Sequence, residues 1–278
     1  MGFAGIHYLY AEKFDTILAQ KEHNKSLYFL FYKEGFSFWI ADSATKTDKV
    51  SHFKVTHFNL WETEIIKELE VNLRLKRNFD EVKAAFISSF FSLVPKDYAA
   101  ENPEVLLNFS EAEFEDNQLI HSVSEAEFSF VYGTSSVLIK KLKEQYGKVQ
   151  FFHSGEVFLK SIENGLPTTV HLNLNQHQLE IAVTSESKVL FYNLFETPTG
   201  EDILFFTLFV MEQLELDTNK VVVKTYGELM PETKVFQILR KYVRHVYAAS
   251  KDEAFLRHFT IYSISKCASF QVNSEGKK

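Results

Sequence analysis

The chain has 278 residues, 45% hydrophobic and 24% charged, with a formal net charge of −7 and a sequence pI near 5.8. That length suits one large or two ordinary domains with a sizeable core, and the acidic balance excludes a global electrostatic footprint for nucleic acid. A single cysteine, Cys267, excludes an intrachain disulfide and points to a reducing compartment. Met1 to Tyr10 carries no positive stretch ahead of its apolar residues, and Ile6 stands where a myristoylation pattern needs Ser or Thr. The longest apolar run, residues 203–211, is interrupted by Thr207 and falls short of the ~20 residues a membrane span needs. These features predict a cytoplasmic protein without membrane insertion.

In chain order, Leu27, Phe29 and Phe31, a break at Lys33-Glu34-Gly35, then Phe36, Phe38 and Ile40 read as a hairpin with one apolar face. Val50 to Val55 is a third strand. Asn59-Leu60-Trp61-Glu62 reads as a capped helix start, and Trp61, Ile65, Leu69 and Leu73 continue it as an amphipathic helix. Ala85 to Pro95 reads as a fourth strand ending in a proline, with a weaker helix over Ala99 to Leu107. The acidic segment that follows, around 109–130, contains one pentapeptide twice, at Ser110 to Phe114 and Ser124 to Phe128. It reads as a solvated hairpin or loop, the sharper alternative being a docking surface for a basic partner. Val137 to Tyr146 is a helix, Lys148 to Phe152 a strand, Glu156 to Ile162 a helix, and Asn164-Gly165-Leu166-Pro167 a turn cluster that makes the best domain boundary.

Beyond that turn the pattern begins again. Val170, Leu172 and Leu174, a break at Asn175-Gln176-His177, then Leu179, Ile181 and Val183 form a second hairpin. An offset of 143 relates Phe29 to Leu172, Phe31 to Leu174, Phe36 to Leu179, Phe38 to Ile181 and Ile40 to Val183. Val189 to Leu194 is again a third strand, and Thr199-Gly200-Glu201-Asp202 again a capped helix start, now at an offset of 140. The helix it opens, Ile203 to Met211, is apolar on all sides and is expected to be buried on all sides. Val221 to Pro231 is a fourth strand ending in a proline, at an offset of 136 from Pro95. Val235, Ile238, Leu239 and Tyr242 stripe the next helix, on which Arg240, Lys241, Arg244 and His245 form a basic face read as solvated. Lys140, Lys141 and Lys143 are read likewise. The tail packs through Phe255, Leu256, Phe259, Ile261, Tyr262 and Ile264 up to about Phe270.

Three strands, a helix, a strand and a helix, twice over, resemble the two ribonuclease-H-like halves of the actin-like ATPase superfamily, which includes FtsA and the type IV pilus protein PilM. More closely the chain resembles an uncharacterised bacterial family of this fold with unknown function. The resemblance covers roughly Ser26 to Tyr247 and rests on element order. It implies an α/β protein of two ribonuclease-H-like domains related by internal duplication, with mixed sheets flanked by helices: residues 1–165, carrying the acidic insertion, and residues 166–278.

In active members of that superfamily, each hairpin turn supplies an Asp-x-Gly to metal and phosphate, and paired glycines after the fourth strand of the second half let the backbone approach adenosine. The chemistry needs carboxylates for a hard cation and glycines where amides meet phosphate oxygens. Here the first turn keeps Glu34 and Gly35 at the wrong spacing, the second has neither carboxylate nor glycine, and the third site keeps only Gly227, after Tyr226, whose ring would project where bare backbone is wanted. Gly200 resembles the glycine that starts the following helix in FtsA-like proteins. Glu34, Gly35, Gly200, Tyr226 and Gly227 therefore mark a vestigial nucleotide cleft, with no catalytic residue and no metal ligand assigned.

Other chemistry finds no support. There is no Walker loop, dinucleotide fingerprint or nucleophile elbow. Cys267 reads as a core residue, and His52, His57, His171 and His177 show no ligand spacing. The sequence thus predicts a non-catalytic interaction module or scaffold with no cofactor, an unknown protein partner, no nucleic acid, and a homo-oligomer left open. The alternative is a weak ATP-binding protein or ATPase using Mg²⁺ and ATP through Glu34, Gly200 and Gly227. A third reading is a small-molecule binder with a reassigned cleft.

Overall fold

A computed structural model describes residues 25–42, 49–95, 118–125, 128–163, 165–186 and 188–267. The helix expected over Ala99 to Leu107, the first pentapeptide and the end of the tail lie outside the described residues.

Two five-stranded sheets have the same strand order. In the first, β1 (Lys25–Tyr32) is flanked by β2 (Gly35–Asp42) and β4 (Glu81–Phe86), with β3 (Ser51–Lys54) and β8 (Gln150–His153) at the edges. In the second, β9 (Leu166–Asn175) is flanked by β10 (Gln178–Glu186) and β12 (Val222–Gly227), with β11 (Lys188–Glu196) and β13 (His245–Ala248) outside. In both, the first three strands are antiparallel and the last two run parallel to the first. The hairpins also share register: Leu27 pairs with Ile40 and Phe29 with Phe38, as Val170 pairs with Val183 and Leu172 with Ile181. Apolar alternation on one face fixes that register, because a slip of one residue would turn every side chain over.

Helices cover the outer face of each sheet. α1 (Trp61–Val71) and α2 (Ser136–Tyr146) bury Ile65, Leu69, Leu138 and Leu142 against Leu27, Phe29 and Phe31. α4 (Gly200–Gln213) and α5 (Lys234–Tyr242) bury Ile203, Val210, Phe236 and Leu239 against Val170, Leu172 and Ile181. Between the sheets lie α3 (Ser154–Ser161) and α7 (Phe259–Ile264), the latter preceded by the short α6 (Glu253–Arg257). α7 packs on β1, β2 and β4 and also touches β12, so the C-terminal segment returns to the first sheet. The buried Lys83 ammonium pairs with Glu81 at 2.9 Å and donates to the Ser265 carbonyl at 3.2 Å, holding the end of α7 there.

Several expectations are corrected. The fourth strand of the first half is β4 alone; β5 (Phe91–Pro95) belongs to a third sheet with the hairpin β6 (Gln118–Glu125) and β7 (Phe128–Ser135). The break falls at Ser88, whose hydroxyl donates to the Gly133 carbonyl at 3.1 Å and accepts from the Phe90 amide at 3.2 Å, competing with strand pairing. Pro95 therefore lies in a strand, and Pro231 precedes a turn whose Thr233 caps α5. Asn59 caps nothing: α1 begins after a 3₁₀ turn, and the Glu64 carboxylate takes up the amides of Thr56 and His57 at 2.7 and 3.1 Å. The helix ends at Val71, leaving Leu73 78% exposed. The α4 helix, expected to be buried all round, exposes Phe205 (60%) and Phe209 (44%). Thr199, in contrast, forms the complete capping box with Asp202. The acidic segment contains a hairpin, β6 with β7, as expected, but not a solvated one: Ser129 and Phe130 of β7 are buried.

Candidate functional site: the cleft between the halves

The two hairpin turns are two-residue loops facing the space between the halves, and each is tied down from within the chain. At the second, Gln176 has φ 56°, a left-handed conformation that costs a non-glycine residue roughly 1–2 kcal/mol. The Glu228 carboxylate holds it: its Oε1 accepts from the Gln176 amide at 3.1 Å and from the Gln176 side chain at 3.3 Å. The next carbonyl, His177 O, accepts from the Thr197 amide (2.6 Å) and hydroxyl (3.1 Å). A phosphate at this turn would have to displace Glu228 and overcome its negative charge. At the first turn, Lys33 Nζ pairs with Glu196 Oε1 of the second half at 2.9 Å, an exposed contact that contributes little stability. The Glu34 carbonyl accepts from the Val55 amide at 2.8 Å, and its Oε2 is buried without a hydrogen-bond partner.

The three glycines named from the sequence each have a packing reason within their own half. A side chain at Gly35 (φ 147°) would collide with the Phe53 carbonyl across the β2–β3 ladder. One at Gly227 (φ 68°) would strike the Leu174 carbonyl, where β12 meets β9. At Gly200 it would meet Val235 Cγ2 at 2.7 Å, where α4 and α5 start side by side. Tyr226 turns inward, on the inner face of β12. Its ring lies 4.5 Å from that of Phe259 and 5.4 Å from that of Phe158, its hydroxyl 3.2 Å from His171 Nδ1, and burial pushes its pKa up. The five residues are thus spread over a turn, two strand ends and a helix start.

A cavity of about 310 Å³ does open between the halves, and none of the five lines it. Its walls include Tyr32, Ser37 and His52 from the first sheet, Glu228 from the second half, and Arg257 and His258 ahead of α7. Ser37 Oγ lies 2.7 Å from His52 Nδ1 and 3.2 Å from the Tyr32 hydroxyl, and the rings of His52 and His258 are 5.4 Å apart. Burial lowers the His52 pKa, with Glu228 pulling weakly the other way. Burial, then His52, then Arg257 bring His258 down to about 4. Both rings are therefore neutral at pH 7, and the wall carries one cation and one anion. Ser37 and His52 have the spacing of a nucleophile and its base. Among the described residues, however, no carboxylate is hydrogen-bonded to His52 to orient it, and the hydroxyl is shared with Tyr32. A second cavity of about 440 Å³ adjoins the first turn through Lys33, walled by Glu62, Ser88, Gln178 and Glu196. Among the described residues no group of three His, Cys, Asp or Glu side chains converges as a metal site.

The third site continues one residue past the positions named from the sequence. Glu228, which ties the second turn, directly follows Gly227. Neither the Glu228–Gln176 tie nor the His52–His258 contact has a local sequence signal, the second joining β3 to a residue about two hundred positions later.

A profile described as "Protein of unknown function (DUF3822)" matches residues 14–246. No curated protein sequence matches the chain. Among solved structures, a Bacteroides thetaiotaomicron protein with actin-like ATPase fold and unknown function superposes with a TM-score of 0.73 at 18% identity, over 88% of this chain and 97% of that one. A type IV pilus biogenesis complex of PilM with PilN gives 0.57 at 12% identity, over 87% and 96%. The cytoplasmic domain of EpsL, an inner-membrane component of the Vibrio cholerae type II secretion system, gives 0.51 at 10%, over 91% and 99%. The chain has the actin-like ATPase fold. Among the described residues, no helix is long and apolar enough to cross a membrane.

Proposed function

We propose, for a chain that belongs to the DUF3822 family of proteins of unknown function, a non-catalytic role: an actin-like-fold interaction module or scaffold in which the chain's own carboxylate takes the place of nucleotide at the second turn. The observation that carries this is the Glu228 carboxylate on the Gln176 amide, which puts an internal anion at the turn where the fold would present amides to phosphate. A metal carboxylate is missing from the second turn, and Gly35, Gly200 and Gly227 are used in packing. Mg²⁺ and ATP do not fit this set of groups. The equivalent strand order and hairpin register support descent of the halves from one duplicated unit, with the divide near residue 165. PilM, structurally similar, is solved in complex with PilN, and EpsL is a component of a secretion system; both accord with a role in assemblies.

The test is a thermal-unfolding series with millimolar Mg-ATP, Mg²⁺ alone and inorganic triphosphate, on the natural chain and on E228A. The reading expects superimposable curves for the natural chain, and an E228A midpoint lowered by the loss of two exposed hydrogen bonds, ~1 kcal/mol in all. A nucleotide-specific upshift in the natural chain, ~2.7 kcal/mol at a hundredfold excess over Kd, would favour the ATP-binding alternative.

A further inference from the structure

Away from the cleft, the C-terminal ends of α1 and α2 meet at a basic surface of the first half. Free carbonyls at a helix C-terminus attract cations, but side chains of α2 take up two of them in and just after α1. The Gln145 amide donates to the Leu69 and Leu75 carbonyls at 3.3 and 3.2 Å, and the Tyr146 hydroxyl donates to the Leu75 carbonyl at 3.0 Å. A cavity of about 460 Å³ opens beside them, with Lys76, Arg77 and Asn78 in its wall. Its one acidic side chain, Glu70, pairs with Lys141. Lys76, Arg77 and, two residues past Tyr146, Lys148 are exposed, and none of the three is in an ion pair among the described residues.

The turn after α1 holds apolar side chains out beside these cations. Val71 is 56% exposed and Leu73 78%. Asn72 fixes the turn: its side chain accepts from the Arg74 amide at 3.0 Å and its carbonyl from the Leu75 amide at 3.0 Å. Leu69 and Leu75, on either side, are fully buried and anchor it from beneath. Arg74 turns back onto the first sheet, where its guanidinium donates to Ser51 Oγ at 2.7 Å and lies 5.1 Å from the centre of the Phe38 ring. Two bare aliphatic side chains therefore stand among cations on a rigid support.

We propose that this end of the first half docks on an anionic phospholipid bilayer, with a headgroup phosphate between Lys76 and Arg77, and Val71 and Leu73 at the boundary with the acyl chains. The occupant follows from charge and size. A chain of net charge −7 is repelled by an anionic surface as a whole, so its local cations decide which end approaches. A stable protein interface buries about 800 Å² on each partner, far more than two aliphatic side chains supply. A bilayer requires only that apolar side chains reach the acyl boundary while cations meet headgroup phosphates. The chain lies on the bilayer and does not cross it. This goes beyond the reading of the cleft and does not depend on it.

Flotation of the full chain with vesicles tests it, using phosphatidylcholine alone and phosphatidylcholine mixed with phosphatidylserine. The expected result is partition onto the mixed vesicles only, weakening as NaCl is raised. K76E/R77E should weaken that partition about tenfold or more. L73S, which leaves every charge in place, should weaken it roughly fivefold. K241E, a charge reversal on α5 of the second half, should leave it unchanged. The lipid and salt dependence of the natural chain stand even if a variant misfolds. No partition onto either vesicle, equal partition onto both, or binding that K241E abolishes and K76E/R77E leaves intact would overturn the proposal. So would capture by soluble polyglutamate without partition onto vesicles, the mark of an acidic protein partner, or L73S binding as tightly as the natural chain.

Discussion

Single residues show where this fold stores its polar chemistry. His153 is fully buried in a ring of Phe91, Phe130, Tyr132 and Tyr192. The Gly155 amide donates to its Nδ1 at 3.0 Å, so the proton sits on Nε2, 2.9 Å from the Ser88 carbonyl. A second proton would face an N–H donor in a dry site, and burial lowers the pKa to about 4. His171 is buried and lowered to about 4 as well, by burial and then by Lys224. A lowered histidine pKa means the unfolded chain takes up the proton first. Stability contributed by each group is therefore complete above pH 6.5 and is lost as pH falls towards 4, by ~3 kcal/mol for a fully expressed shift. Glu180 has the opposite sign. It is fully buried, accepts from Asn173 at 2.6 Å and Tyr192 at 2.8 Å, and burial raises its pKa. Its contribution is complete below the ordinary carboxylate range and is lost as pH rises through the raised value. Urea midpoints should accordingly climb from pH 4 to 6.5, and E180Q should gain on the natural chain as pH rises above the carboxylate range. A profile flat on the acid side, or an E180Q difference independent of pH, would contradict these assignments.

At the scale of elements, the strands explain why part of the fold was legible and part was not. The apolar residues of β9 and β10 alternate, and alternation reads as one buried and one wet face. The apolar face packs on α4 and α5 as that reading requires. The polar face, with His171, Asn173, Glu180 and Thr184, is equally buried, because α3 and α7 arrive from elsewhere in the chain. Some of its polar groups find partners across that junction, Asn173 donating to Thr260 at 2.9 Å and Asn175 at 3.1 Å, while Asn173 Oδ1 is buried without a partner. Alternation cannot distinguish a face wetted by solvent from one covered by a remote helix with hydrogen-bond partners. The same blindness, reversed, misjudged α4, where apolar residues on every side suggested burial and Phe205 and Phe209 proved exposed. The Thr199 capping box needed only residues within reach of one another, and it was read correctly. The α3 contact supplies a sharp prediction. A Cβ at Gly155 would collide with the buried Tyr192 ring of the second half. G155A should destabilise the protein by ~1–3 kcal/mol, the usual cost of overpacking, and G155A/Y192F, which keeps the ring, should not recover it. An unchanged unfolding midpoint in G155A would show that α3 can shift away from Tyr192.

For the whole molecule, the fold came from one observation, the 143-residue offset between hairpins, because strand register is written directly into alternating side chains. That offset reappears in the pairing of Phe29 with Phe38 and of Leu172 with Ile181. The cleft was less legible. Its missing glycines and carboxylates could be counted along the chain, but the carboxylate on the amide of the second turn, which the proposed function reads as standing in for phosphate, became visible only when Glu228 met Gln176 in space. The account rests on that replacement, and titration calorimetry of the full chain with Mg-ATP and Mg-ADP measures it. The account predicts no saturable heat up to ligand concentrations of about 1 mM, the level that reports ~4 kcal/mol of binding. A saturable isotherm with one site per chain, abolished by inorganic triphosphate as competitor, would contradict it.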